Sequence, residues 1–208
     1  RYLNGIMIRT FSQKSVEDFA RFASIPVING LTDLLHPCQI LSDLYTIREK
    51  KGSYNKLKIA YIGDGNNIAN TWIEAAAKLP IQLALACPAG YDPDRTILEK
   101  GKKEAQEGIA LMRDPLKAAK DADILYTDVW TSMGQESESE KRKKIFKNYQ
   151  INKRLLKVAK KDAIVMHCLP AHRGEEIASD VIDGPQSVVI DQAENRLHVQ
   201  KAILEILI

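Results

Sequence analysis

The feature that most constrains this chain is a rhythm: short apolar runs rich in Ile, Val and Ala alternate with charged stretches of helical period. The runs at 57–62, 81–87, 123–128 and 163–168 are apolar over most of their length, with no clean polar alternation. A strand covered on both faces has no solvent side to make polar, so such runs point to strands inside a layered sheet. Each is followed by a stretch with helix signals, and a helix that carries the chain back makes the next strand parallel. The expected fold is therefore α/β: a Rossmann-like parallel sheet flanked by helices over 49–192. Upstream, strands are expected at 5–9 and 25–29 and helices at 15–23 and 36–51, the last with Pro37 at its first position, where a missing N–H costs nothing. A shorter strand is expected at 109–112 and another at 187–190. A first unit is expected over 1–48 and a final helix over 193–208. Arg1 opens no capped element and Ile208 ends a helix without a cap, so both ends read as cuts.

Composition narrows the function. The net charge of +3 is too small for a phosphate-binding face, so nucleic acid is not an expected partner. The basic runs at 100–103 and 141–144 stand beside Glu99, Glu104, Glu138 and Glu140, and mixed signs at helical spacing read as solvated surface. No apolar run approaches the roughly 20 residues that span a bilayer, so no membrane helix is expected. Cys38, Cys87 and Cys168 are irregularly spaced, which argues against a disulfide framework and for a reducing, cytoplasmic setting.

Chemistry-bearing residues gather where strands end. Gly63-Asp64-Gly65-Asn66-Asn67-Ile68 sits between a strand and a helix, but Ile68 stands where a dinucleotide loop needs its third glycine. Asn66 and Asn67 offer amide groups beside a helix N-terminus, suited to a small carboxylate; the plain alternative is a capped turn. Asp128-Val129-Trp130-Thr131-Ser132-Met133-Gly134 follows another strand, where Asp128 could receive an ammonium or simply close the strand. The polar stretch after it suits a mobile lid. His167-Cys168-Leu169-Pro170-Ala171-His172 follows a third strand, and its thiol could serve as nucleophile or proton acceptor. Zinc is the rival, but the spacing fits no structural zinc pattern, so no metal and no cofactor is expected. His36, Gln39 and Asp43 form a polar stripe on one helix, ordinarily a solvent face. Together with Arg9 and Arg196 it would suit a phosphorylated carbonyl compound.

The set of motifs is more specific than any member. His-Pro-Cys-Gln-Ile-Leu-Ser-Asp, Gly-Asp-Gly-Asn-Asn, Asp-Val-Trp-Thr-Ser-Met-Gly, His-Cys-Leu-Pro-Ala-His-Arg-Gly and Glu-Asn-Arg occur in the order that resembles the ornithine branch of the aspartate/ornithine carbamoyltransferase superfamily. The resemblance runs from Gly5 to the last residue, and Ser-Met-Gly separates the ornithine branch from the aspartate and putrescine branches. It implies transfer of a carbamoyl group from carbamoyl phosphate to the side-chain amine of L-ornithine, giving citrulline and phosphate in arginine metabolism. The alternatives are a putrescine or other amine carbamoyltransferase and a non-catalytic amino-acid-binding fragment.

By the same resemblance, Arg9, His36, Gln39, Cys168, Leu169 and Arg196 contact carbamoyl phosphate. Asn67, Asp128, Ser132 and Met133 hold ornithine, and Cys168, His36, Asp128 and Arg196 serve the chemistry. Residues 1–48 become the remnant of a carbamoyl-phosphate domain with its interdomain helix, and the Leu169–Pro170 bond is expected to be cis. The family assembles as a homotrimer or a multiple of it. One departure stands out: the family's Ser-x-Arg-Thr-Arg phosphate loop has no counterpart here, because Met7 stands where its serine should precede Arg9-Thr10. The 208-residue chain by itself is therefore expected to be inactive.

Overall fold

The computed structural model describes residues 2–131 and 136–208. Its elements run β1 (Ile6–Arg9), α1 (Gln13–Phe22), β2 (Val27–Leu31), α2 (Pro37–Lys51), β3 (Lys58–Ile62), α3 (Asn67–Lys78), β4 (Gln82–Ala86), α4 (Arg95–Glu104) and β5 (Ile109–Met112). They continue with α5 (Pro115–Ala119), β6 (Ile124–Thr127), α6 (Ser139–Phe146), α7 (Lys153–Val158), β7 (Ile164–His167), α8 (Ser179–Ile182) and α9 (Val189–Leu207). The pair β1–β2 is parallel, and the five-stranded sheet has the order β5-β4-β3-β6-β7 with every neighbouring pair parallel.

The near-continuous apolar runs have the cause expected of them. Within β3, Ile59 and Tyr61 face one core with Trp72, Ile73 and Tyr126. Ala60 and Ile62 face the other, with Leu125, Val165 and Phe146. Both sides of the pleat are dry, so a period of two is present in space and invisible in polarity. Tyr61 stacks on Tyr126 with ring centroids 6.0 Å apart, and Trp72 meets Tyr126 edge-on at 5.6 Å.

One expected strand does not form. Ser187 makes only an isolated bridge to Val165, and α9 begins at Val189, ahead of the position read from the sequence. Val188 and Val189 are buried, and the Val188 carbonyl accepts the Gln192 N–H at 2.8 Å. A β-branched run that buries its side chains beside β7 can do so as a helix's first turn, and tertiary packing overrides the local propensity. The helix α9 then lies along α2: Lys50 pairs with Asp191 at 2.9 Å, and Asn195 donates to Thr46 at 3.1 Å.

The strand order positions the site. From β3 the chain builds outward through β4 to β5, then crosses back to lay β6 and β7 on the opposite side. Loops at the carboxyl ends of β3 and β6 therefore diverge and leave a crevice, which is where open parallel sheets take ligands.

Candidate active site

A cleft of about 1140 Å³ opens at that edge. Arg9, His36, Gln39, Asn67, Asp128, Cys168, Leu169 and Arg196 all line it, so residues far apart in sequence share one wall-to-wall space. Ser132 and Met133 lie outside the described residues.

On the β3 side, Gly65 fits only because it lacks a side chain: a Cβ there would lie 2.2 Å from the Pro93 nitrogen. The next residue, Asn66, caps α3, its Oδ1 accepting the Ile68 N–H at 3.0 Å and the Ala69 N–H at 3.3 Å. Its Nδ2 reaches across the crevice and donates to Asp128 Oδ2 at 2.6 Å. Asn67 instead faces the first unit, donating from Nδ2 to the Thr32 carbonyl at 2.7 Å. An amide nitrogen has a second hydrogen, so Asn67 keeps a donor as well as its oxygen.

Asp128 follows β6 directly, with its carboxylate already well attended. Oδ1 accepts the Val129 N–H at 2.7 Å and the Cys168 thiol at 2.9 Å. Burial, and then the Asp128 charge, push the Cys168 thiol well above its ordinary range, so Cys168 is a thiol donor here. Beyond it the Leu169–Pro170 bond is cis. The Leu169 N–H donates to His167 Nδ1 at 2.9 Å, which makes that nitrogen the acceptor and leaves the ring proton on Nε2, facing Glu176 at 3.1 Å.

Across the cleft, His36 donates its backbone N–H to Thr71 Oγ1 at 2.8 Å at the start of α2. Burial, then the charges of Arg196 and Arg9, lower its ring to about 4, so it is a neutral imidazole at neutral pH. Its Nδ1, the Arg196 Nε and the Gln39 Oε1 are buried without a hydrogen-bond partner among the described residues. The stripe His36, Gln39 and Asp43 is thus interior and not a solvent face.

Some of the wall gave no signal in the sequence. Arg142, from a run read as solvated surface, is buried. Its guanidinium pairs with Asp64, donates to the Trp130 carbonyl, and lies 4.7 Å from the Tyr91 ring centroid. Burial raises Asp64 to about 6 against the pull of Arg142. Asp64 was visible in its motif but carried no reason to expect an arginine partner 78 positions away.

Ligand-type atoms of Asp128, His167 and Cys168 lie within 4.8 Å of one another. Both ring nitrogens of His167 are engaged by Leu169 and Glu176, which leaves no lone pair for a metal. In the cluster of His172, Glu175 and Glu176, Lys143 sits 3.1 Å from Glu175 and already neutralises it.

A family model described as "Aspartate/ornithine carbamoyltransferase, Asp/Orn binding domain" matches residues 55–207. The chain belongs to this family. A second model of the aspartate/ornithine carbamoyltransferases, described as the carbamoyl-P binding domain, matches residues 1–49. An ornithine carbamoyltransferase of Syntrophus aciditrophicus is 74% identical over 208 residues, covering 100% of this chain and 69% of its own length. Among solved carbamoyltransferase structures, that of Pyrococcus furiosus is 54% identical with a TM-score of 0.93, over 98% of this chain and 66% of its own. That of Giardia lamblia, at 31% identity, still superposes with a TM-score of 0.91 over 99% of this chain and 70% of its own. The chain spans about two thirds of the length of these relatives.

Proposed function

We propose that the protein moves a carbamoyl group from carbamoyl phosphate to the side-chain amine of L-ornithine, releasing citrulline and phosphate. The observation that carries this reading is the convergence of Asp128, Cys168, His36, Arg9 and Arg196 on one cleft. A cationic side with a neutral imidazole suits a phosphorylated carbonyl, and an anionic side suits an amino acid's ammonium. Residues 1–48 would be the carbamoyl-phosphate portion, 49–192 the ornithine-binding portion and 193–208 the returning helix.

In the step, the amine lone pair attacks the carbonyl carbon, the new C–N bond forms, the C–O bond to phosphate breaks, and the proton that the amine loses passes to the departing phosphate. An amine of this kind has a pKa of about 10.4, so the site must hold it neutral. Arg9 and His36 would bear on the carbonyl oxygen as negative charge develops, with Arg196 beside them, while Gln39 and the Cys168 and Leu169 carbonyls hold the carbamoyl amide. Asp128 would take the α-ammonium and Asn67 the α-carboxylate, with Ser132 and Met133 supporting that end. Once the ammonium offsets the Asp128 charge, the Cys168 thiol loses one cause of its raised pKa and becomes a better proton relay. Relatives carry the same activity in their names, one of them, from Pyrococcus furiosus, with the word anabolic, which favours a place in arginine synthesis. A cytoplasmic homotrimer, or a multiple of it, completes the proposal; its supports are the family resemblance and the three free thiols.

The test is a chimera joining these 208 residues to the remaining third of the Syntrophus aciditrophicus relative. It should form citrulline, with putrescine a poor acceptor. Asp128→Asn should raise the KM for ornithine by about 10- to 100-fold, the worth of one charge-assisted contact. Equal use of both amines would overturn the ornithine assignment.

A further inference from the structure

Asp43 lies on α2 one turn beyond Gln39 and has no exposed surface. Its carboxylate accepts three side chains: Gln39 Nε2 at 2.9 Å and Gln192 Nε2 at 2.8 Å on Oδ1, and the Tyr126 hydroxyl at 2.7 Å on Oδ2. The direction of these bonds is fixed from outside the network. A backbone N–H can only donate, and that of His167 meets Gln192 Oε1 at 2.9 Å. Gln192 must therefore turn its nitrogen to Asp43. An ionised carboxylate can only accept, so Gln39 must present its nitrogen too. The one polar atom left to Gln39 is Oε1, buried without a hydrogen-bond partner among the described residues, on a side chain that lines the cleft.

We infer that Asp43 is a positioning residue: it locks Gln39 with its amide oxygen towards the cleft, so that the cleft selects a ligand carrying an N–H donor over one carrying a methyl group at the same place. The inference rests on the carbamoyl-transfer reading, since the NH₂ group is what distinguishes a carbamoyl from an acetyl phosphate. A methyl group of similar size would fill the space and leave Oε1 buried and unmet, and it is the unmet polar group that rejects the wrong ligand.

Two measurements, the first on the 208-residue chain, separate this inference from the reading beneath it. The first needs no ligand. Side-chain ¹⁵N resonances of Gln39 and Gln192 should be protected from exchange and should titrate together with a midpoint near 6, the value to which burial raises Asp43. Three other groups act on Asp43: Arg196 from α9 pulls its pKa down, while Tyr126 on β6 and Cys168 after β7 ionise only well above their ordinary values. The His167 ring is turned away from Gln192, towards Glu176 and the Leu169 N–H. A Gln39 side chain that exchanges freely, or ignores the transition sensed by Gln192, would overturn the inference.

The second measurement, made on the chimera, compares phosphonoacetamide with acetonylphosphonate, in which a methyl replaces the NH₂. The chimera should prefer the amide by about tenfold or more. Gln39→Met should abolish the preference, and a folded Asp43→Ala should bring it below about twofold by letting Gln39 turn. Asp43→Asn should rescue it, because an asparagine can keep its oxygen on the glutamines and turn its NH₂ to Tyr126, whose hydroxyl can reverse. A folded Asp43→Ala with the full preference would refute the role of Asp43. If that variant does not fold, the shared titration decides alone. If the unaltered chimera binds neither phosphonate, the carbamoyl reading fails while the titration still judges the positioning.

Discussion

At the scale of single residues, the sequence displayed the right chemical types at strand ends but not how they are wired. Cys168 could be read as a reactive thiol; that burial and then Asp128 keep it protonated could not, because 40 positions separate the two residues. Nor could a sequence tell that Asp43 and Gln192, 149 positions apart, hold each other. The wiring has consequences that can be measured. Cys38 and Cys87 are buried, so alkylation of the native chain should start at Cys168 and be slow. Asp128→Asn removes one of the two main causes of the raised pKa, and labelling at pH 8, followed by mass spectrometry, should quicken by about three- to tenfold. An unchanged rate would contradict the pairing.

His36 gives a second test. Its pKa falls from 6.5 to about 4 on folding, chiefly through burial, so the folded state binds fewer protons than the unfolded one between those values. The stability this group contributes is complete above the unfolded value and is lost as pH falls towards 4. Asp43 and Asp64, raised to about 6, run the other way and lose their contribution as pH rises through 6. The His36 part is isolated by urea unfolding of the chain and of His36→Asn at pH 7 and pH 4.5. The stability of the chain relative to the variant should drop by about 2–3 kcal/mol on acidification. A constant difference would mean that the imidazole is not buried neutral.

At the scale of elements, the parallel strands were legible because double-sided burial writes itself into composition. Two elements misled for the same reason: their environment is set by distant packing. The run at 187–190 has strand residues yet opens α9, and the run at 141–144 has surface residues yet buries Arg142. Arg142→Met would leave Asp64 buried beside no cation and should cost about 3–5 kcal/mol at pH 7. The loss should shrink at pH 5, where Asp64 takes up a proton. Pairing it with Asp64→Leu should recover part of the stability, since a buried ion pair often exchanges for apolar groups at little cost. Thermal unfolding of the three variants measures this, and a surface-like loss below about 0.5 kcal/mol for Arg142→Met would count against the burial.

At the scale of the molecule, the family was legible from ordered motifs, and so was the absence from this chain of the Ser-x-Arg-Thr-Arg loop. Each charge-assisted phosphate contact is worth roughly 1.5–3 kcal/mol, so the 208 residues by themselves are expected to hold carbamoyl phosphate weakly. The 208 residues alone should form no measurable citrulline under conditions where the chimera turns over; comparable rates would show that the phosphate is gripped by other residues.

The clasp of α9 on α2 sets a timetable. Gln39 and Asp43 leave the ribosome long before Gln192 and Arg196 do, since 149 positions separate Asp43 from Gln192. Until α9 is made and docks on α2, the cleft lacks Arg196 and Asp43 lacks its Gln192 partner, so a late-made helix completes the site.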